Sequence, residues 1–412
     1  MLKSLRCPRP YVTAGRDELW TLPNGIDLTG GNMDFDLSDE QRLLKDSVDR
    51  FITDRYGFEA RRANRAERGG WSRAAWAQIA ELGLLGLPFS EEDGGFGGGP
   101  TETAIVMEAF GRGLVVEPYV ATAIIGAALL RHCATPEQRA RLVPEIAAGE
   151  RVLAYAQVER QSRWSLNDVK TRAVRSGDGW TLTGSKSLVL HGDTADTLLV
   201  TARVAGEERE RHGIGLFLVD DAEARGVTRR GYPTQDGLRA AEIEFDNVAA
   251  EPLGDPAEAL PGLEWAQDEI LAALSAEAVG VMQAMLDMTA DYLKTRKQFG
   301  KAIGDNQALQ HRTVDMYVSL EQARSMSLFA TMMASDETAL ERQRAMHAAK
   351  VQIGRSGRHI GQEAVQMHGG IGVTMEYAVG HFFKRMTMIE RGFGDTDTHL
   401  AALARLGGLI PA

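Results

Sequence analysis

The sequence predicts a mainly α protein with a central antiparallel β module, arranged as a helical domain, a β-barrel or sandwich, and a C-terminal four-helix bundle. Three observations predict it. Apolar residues repeat with a helical period up to about residue 150, alternate in short runs to about residue 252, and return to a long helical period beyond it. Glycine and aspartate turns punctuate the middle stretch at Ser176–Gly179, His191–Asp193 and Asp236–Gly237. No helix-length segment separates the short β runs, which argues against a parallel α/β sheet.

Taken in order, residues 1–32 carry turn-prone fragments (Cys7–Pro10, Leu22–Gly25, Leu28–Asn32) and no apolar core of a secretory signal. They read as a tail, or as a misassigned start ahead of Met33. Residues 33–150 read as the helical domain. Ser38 with Gln41 three residues on is a capping box, and Leu43, Leu44, Val48, Phe51 and Ile52 follow at helical spacing. Trp71–Leu85 and Thr101–Arg112 repeat the style. The glycine-rich stretch Pro88–Gly99 between them reads as a connection, because no strand precedes it and no Lys-Ser/Thr follows, as a phosphate loop requires.

Residues 151–252 read as the β domain, with runs at Trp180–Leu182, Thr197–Ala202 and Gly215–Val219. A strict alternation places Ala241, Ile243 and Phe245 against Glu242, Glu244 and Asp246. Residues 253–412 read as the bundle. Leu271, Leu274, Ala278, Val281, Met285, Met288 and Tyr292 are spaced by alternating threes and fours. Leu309, Thr313, Met316, Leu320, Ala323, Ser327 and Ala330 are spaced by threes and fours as well. Such seams pack one helix on the next.

Composition narrows the function. The chain has 412 residues and a net charge of −11, which disfavours nucleic acid and anionic membrane as partners. Its two cysteines, Cys7 and Cys133, cannot build a disulfide framework, so a reducing, cytoplasmic setting is expected. No run of 18 apolar residues stands out, so no membrane span is expected. Zinc-protease, paired-cysteine, nucleophile-elbow and dinucleotide-glycine motifs are all missing.

Two clusters remain. Arg296-Lys297-Gln298-Phe299-Gly300-Lys301, with Ile303 and Gln307 following, closes the first bundle helix. A basic helix end and an aromatic cap would explain it without any ligand. Gln366-Met367-His368-Gly369-Gly370-Ile371-Gly372-Val373, followed by Glu376-Tyr377, reads by itself as a glycine helix stop. Three more pieces accompany them: Pro88-x-x-Glu91-x-x-Gly94-Gly95-x-Gly97, Asp178-Gly179-Trp180 followed by Gly184-Ser185-Lys186, and Phe245-Asp246-Asn247-Val248. Occurring together and in this order, from about Met33 to Leu406, they make the chain resemble the acyl-CoA dehydrogenase family.

The resemblance implies α,β-dehydrogenation of an acyl-CoA thioester, with FAD as cofactor. The chemistry needs a carboxylate to take the α-proton and a flavin to take the β-hydride. It also implies an electron-transfer flavoprotein or similar acceptor, and a homo- or hetero-oligomer, dimer or tetramer. In the family, a neighbouring subunit supplies part of the flavin phosphate and adenine contacts. The matching residues here are Arg296, Phe299, Gln307, Gln366, Gly369 and Gly370, all retained.

The half of the site supplied by the same chain departs from the pattern. Around Val158-Glu159-Arg160 the family's Thr-Glu-Pro-x-x-Gly-Ser-Asp is reduced to Glu159 and an echo at Ser165 or Asp168. Leu188 and Leu190 stand where flavin-facing polar groups are usual. The family's base position falls on Phe393. Glu390, three residues earlier, is the candidate base of this chain, with Asp395 the other nearby carboxylate. An alternative base position on the first bundle helix falls on Ile270, beside Glu269. The expectation is a subunit that completes a partner's FAD site, similar to the small subunits of heteromeric bacterial acyl-CoA dehydrogenases. The alternatives are a self-sufficient homomeric enzyme with Glu390 as base, and a non-catalytic scaffold.

Overall fold

Helix α1 (Asp39–Arg55) starts with Asp39 and Glu40 in its first turn, where negative charge favours the helix dipole, and buries Val48 and Phe51. The computed structural model describes residues 36–177, 179–220 and 224–409; the tail at 1–32, Cys7 and Asp178 lie outside the described residues. Helices α2 (Phe58–Ala66) and α3 (Arg73–Glu81) follow, the second capped by the Ser72 hydroxyl. The glycine-rich loop then folds onto its own backbone through Gly95 N–Ser90 O, Phe96 N–Gly86 O and Gly97 N–Phe89 O bonds, as a connection should.

Helix α4 (Pro100–Gly113) begins with proline, and its Glu102 accepts from the Gly99 amide at 2.8 Å. A π-helical stretch, Val120–Gly126, runs into α5 (Ala127–Cys133), and α6 (Pro136–Ala147) opens with a reciprocal Thr135/Gln138 capping box.

Seven strands follow: β1 (Leu153–Ala156), β2 (Arg172–Ser176), β3 (Gly179–Leu190), β4 (Thr197–Arg203), β5 (Ile214–Val219), β6 (Val227–Pro233) and β7 (Arg239–Leu253). The pairs β2–β3, β3–β7, β4–β5, β5–β7 and β6–β7 are antiparallel. A single parallel pair, Arg172 with Arg203, links β2 to β4 and closes the ring β2–β3–β7–β5–β4 into a small barrel. Strands β4 and β5 are buried at every position, in keeping with their lack of alternation, and β4 buries Thr197, Thr201 and Arg203 among its apolar residues.

Besides that one-pair β2–β4 link, a second pairing departs from an all-antiparallel module: β1 runs parallel to β4, Leu153–Ala156 against Thr197–Val200. The β2–β3 excursion between the two strands supplies the long crossover a parallel pair needs. The Asp196 carboxylate pins their start by accepting from the Val152 amide at 2.8 Å.

The bundle consists of α7 (Leu260–Thr295), a two-residue hairpin β8 (Lys297–Gln298) and β9 (Lys301–Ala302), α8 (Gln307–Met333), α9 (Ala339–His368), α10 (Ala378–Arg391) and α11 (Thr396–Arg405). On α8 the inner seam is Met316, Leu320, Ala323, Ser327 and Ala330, while Val314, Tyr317, Val318, Leu328 and Met332 face outward.

Helix α7 is the axle. Its apolar residues are buried on every side, and it is long and apolar enough to cross a membrane by length and composition. That corrects the sequence reading, which the interrupting Asp268 and Glu277 concealed. In the structure 83% of its most apolar window is buried within the protein, so its apolar character serves the core. Helix α4 crosses it at backbone contact. A Cβ on Gly280 would lie 1.9 Å from Glu108 O, and one on Gly111 would lie 2.1 Å from Glu277 O.

Neither position tolerates even a methyl group without parting the helices. Gly280→Ala is therefore expected to destabilise the fold by roughly 1–3 kcal/mol, read as a lower midpoint in urea unfolding. An unchanged midpoint would show that the crossing relaxes freely.

Candidate functional site

A cleft opens where the helical domain, barrel and bundle meet. Its space, counting the open mouth, is about 840 Å³. The π stretch contributes Val120, Ala121 and Ile125; β1 and the loop after it contribute Tyr155, Gln157 and Val158; β3 contributes Leu188 and Leu190. Leu274 comes from α7, and Met388 and Ile389 come from α10. The π stretch is tied to β1 because the Thr122 hydroxyl accepts from Leu153 N at 3.1 Å and donates to Leu153 O at 3.4 Å. Such local widening of a helix is common beside ligand sites.

Most of the wall is apolar, and Gln157, Thr234, Asp236, Arg385 and Arg391 add polar or charged groups to it. Arg385 of α10 donates bidentately to Glu277 of α7, Nε to Oε1 at 2.6 Å and Nη2 to Oε2 at 2.7 Å, and through Nη1 to Asp236 Oδ2 at 2.8 Å. Asp236 lies in the β6–β7 turn, and Arg61 of α2 donates to its backbone carbonyl at 2.6 Å. Burial opposes ionisation of Asp236, but Arg385, Thr234 and the Leu238 amide outweigh it and hold the carboxyl below its usual range. Burial, helped by Arg385 and Arg239 against Asp236, pushes nearby His191 down to about 4, so it is neutral at physiological pH.

Reading the sequence missed this trio. Glu277 was visible as the lone acid inside the apolar run Ile270–Val281, Asp236 looked like an ordinary turn residue, and Arg385 looked like the polar face of a helix.

The candidate bases lie elsewhere. Ile389 faces the cleft, and Glu390 is one residue on, about 100° around the helix. Its carboxylate is buried against α11, accepting from Thr396 N at 3.1 Å, Thr396 Oγ1 at 3.0 Å and Arg358 at 3.3 Å. In that placement Glu390 caps a helix and is not among the residues lining the cleft. Asp395 caps the same helix through Thr398 N at 2.9 Å and Oγ1 at 2.6 Å, bonds that hold its carboxyl below the usual range. Ile270 is buried, and Glu269 pairs with Arg131 at 2.6 Å and His132 at 2.8 Å beside a separate cavity.

Phe393 does line the cleft, at φ +57°. The turn that carries it is held by Lys350, whose ammonium donates to the carbonyls of Ile389, Glu390, Gly392 and Gly394 at 2.8–3.1 Å. Burial pulls Lys350 down to about 8, so it is still mainly protonated at neutral pH.

The loop after β1 is organised by Glu159. Its carboxylate accepts from Lys186 Nζ at 2.8 Å, Thr171 N at 3.0 Å, Lys170 N at 2.9 Å and Gln161 Nε2 at 2.8 Å. Burial opposes the charge, yet Lys186 and the other donors bring the carboxyl down to about 2. Burial also lowers Lys186 to about 8, against the pull of Glu159, which leaves a charged pair at neutral pH. Ser165 hydrogen-bonds Asn167, and Asp168 accepts from Arg209 at 2.9 Å.

Arg296, Phe299, Gln307, Gln366, Gly369 and Gly370 all lie exposed at chain turns, and none lines this chain's cleft. Tyr292 near the end of α7 stacks on His368 at the end of α9, centroids 4.5 Å apart, so the two motifs sit at one end of the bundle. Arg296 makes no ion pair among the described residues, and Phe299 is fully exposed at the hairpin tip. At Gly369, φ +63°, and at Gly370 a Cβ would meet open space. A guanidinium with no ion pair among the described residues is free to bind an anion.

Comparison with known proteins shows the family. Profiles described as acyl-CoA dehydrogenase N-terminal, middle and C-terminal domains match residues 38–150, 154–248 and 271–407. A probable acyl-CoA dehydrogenase of Bacillus subtilis is 29% identical over 381 residues, covering 90% of this chain and 99% of the relative. Among solved structures, a variant of the Tcur3481–Tcur3483 steroid ACAD is 31% identical with a TM-score of 0.80, covering 89% of this chain and 97% of that one. The ChsE4–ChsE5 complex of Mycobacterium tuberculosis shares the fold at 24% identity and a TM-score of 0.81, covering 92% of this chain and 100% of that one.

The Glu159–Lys186 pair yields a pH test. A carboxyl lowered from 4.5 to about 2 contributes stability that is complete above 4.5 and is lost as pH falls through about 2. Lys186→Met leaves a buried carboxylate with neutral donors only, so stability near pH 7 should fall by roughly 3–5 kcal/mol. The deficit should shrink on acidification as Glu159 takes up a proton. Chemical unfolding across pH checks this, and a deficit independent of pH would dismiss the assignment.

Proposed function

The chain belongs to the acyl-CoA dehydrogenase family, and from that premise we propose that it serves as the subunit completing a partner's FAD site, its own cleft lacking a base. The enzyme class is FAD-dependent acyl-CoA dehydrogenase, in which bound flavin accepts the hydride leaving the β-carbon of the thioester. The observation that carries the proposal is Phe393. It faces the cleft in the position the family gives to the base, while Glu390, Asp395 and Glu269 are each bonded elsewhere.

The exposed set supports the other half of the reading. Arg296 would grip the flavin pyrophosphate of the neighbour, Phe299 and Gln307 would flank it, and Gln366 with the open backbone at Gly369–Gly370 would meet the adenine end. In this chain's cleft Leu188 and Leu190 offer the flavin ring no hydrogen bonds, and the Glu159-centred loop replaces the usual hydroxyl-bearing one. A solved relative whose name joins two components, Tcur3481–Tcur3483, supports a partner of the same family. An electron-transfer flavoprotein or similar carrier would take the electrons onward, in the cytoplasm.

The reading makes two measurable claims. Expressed alone, the chain should show little or no acyl-CoA dehydrogenase turnover, and should gain it only with a partner that carries an intact base. A positioned general base contributes about 10²–10⁴ in rate, so good binding cannot mask its loss. In the complex, Glu390→Gln should leave turnover nearly intact. A yellow, active lone chain silenced by Glu390→Gln would instead establish a homomeric enzyme.

The second claim concerns the cofactor. Arg296→Ala in the complex removes charge-assisted bonds of roughly 1.5–3 kcal/mol each. Flavin retention should then fall about ten- to a hundredfold, measured by flavin absorbance after dialysis. Full retention would remove Arg296 from the site.

A further inference from the structure

We propose that this chain's cleft binds an acyl group whose apolar body carries a neutral oxygen, keto or hydroxyl, and that Arg385 is the residue that recognises it. The proposal rests on the reading that the cleft has lost its base, and it assigns the base-less cleft a ligand.

An aliphatic chain fits most of the wall, where Val120, Ile125, Leu188, Leu274 and Met388 offer apolar surface. It does not fit beside Arg385. Arg385 lines the cleft, and its side chain is 10% exposed. A guanidinium carries five N–H donors, and three of those on Arg385 go to Glu277 and Asp236. Nothing among the described residues takes the remaining two. A methyl terminus placed there would exclude water from donors and leave them unpaired, at the desolvation cost such groups carry.

Charge decides which oxygen. Arg385 already touches two buried carboxylates, Glu277 and Asp236. A third carboxylate would sit beside like charge in a poorly solvated place, where repulsion is strong. A keto or hydroxyl oxygen accepts from the guanidinium without adding charge, and a hydroxyl can also donate to Asp236. The bidentate grip of Glu277 fixes the fork in advance, so little side-chain freedom is lost on binding.

The test is calorimetric titration of the intact chain, and of its complex, with decanoyl-CoA, a set of decanoyl-CoA isomers carrying one keto group at successive positions from mid-chain to tail, and decanedioyl-CoA. At least one keto isomer should bind about tenfold tighter than decanoyl-CoA, the fold-change of a charge-assisted bond to a neutral acceptor. The diacid should bind more weakly than that isomer. Arg385→Lys keeps a cation between Glu277 and Asp236 but loses the fork; the ratio of keto-isomer to decanoyl-CoA affinity, measured on the same variant, should fall to about one. Keto isomers no better than decanoyl-CoA, a diacid that binds tightest, a preference that survives Arg385→Lys, or no binding of any member would each overturn the proposal. Turnover by the lone chain would sink the partner-completing reading; the present one would then stand if KM follows the same keto order, and fall if it does not.

Discussion

The architecture turns on one buried cation. Arg385 reaches from α10 to Glu277 on α7 and to Asp236 at the tip of β6–β7, and Arg61 of α2 holds the backbone of that same aspartate. Helical domain, barrel and bundle therefore all meet at this one polar cluster. Buried ion pairs often add little net stability, because desolvation consumes the Coulomb gain, yet breaking one is costly since it strands a charge. The cluster consequently acts as a lock on relative position. Any slide of the barrel against the bundle would part Asp236 from Arg385, and the cleft lies directly at that seam.

The same device recurs around the cleft. Lys350 shares its three N–H donors among four carbonyls of the turn that carries Phe393. Lys186 and Glu159 staple the loop after β1. Arg203, fully buried, donates to the carbonyls of Asn167, Val169, Ala205, Glu208, Glu210 and His212 and so gathers the loops at one end of the barrel. Each cation sits where irregular backbone would otherwise present unpaired carbonyls to the interior, which is the condition buried backbone cannot tolerate. The result is a cleft of fixed shape whose chemistry is set by the few side chains pointing into it. Most of them are apolar, and the polar or charged ones are Tyr155, Gln157, Thr234, Asp236, Arg385 and Arg391.

Two surfaces with different tasks follow. The cleft is enclosed by this chain's own three parts and holds no uncommitted carboxylate. The motif-bearing end of the bundle is open, with an unpaired Arg296, a fully exposed Phe299 and glycine backbone over empty space. A functional group that finds no partner in its own chain is best understood through the chain it meets. The asymmetry between a committed cleft and an uncommitted edge is what supports a role completed in an assembly.

What could be known from residues alone was whatever local periodicity and short motifs encode. The switch of period marked out helices, barrel and bundle, the α8 seam from Met316 to Ala330 identified its buried side, and the two glycine- and arginine-bearing clusters pointed to the family. These signals are legible because hydrogen bonding within a helix or along a strand imposes a repeat on the sequence itself. The parallel β1 edge, the all-round burial of α7 and the turning of Glu390 away from the cleft were decided only in three dimensions. So was the meeting of Arg385, Glu277 and Asp236, which come from three separate segments. A side chain's partners across such distances depend on the angle at which its element docks, and a rotation of about 100° per helical residue separates a wall of the cleft at Ile389 from a helix cap at Glu390.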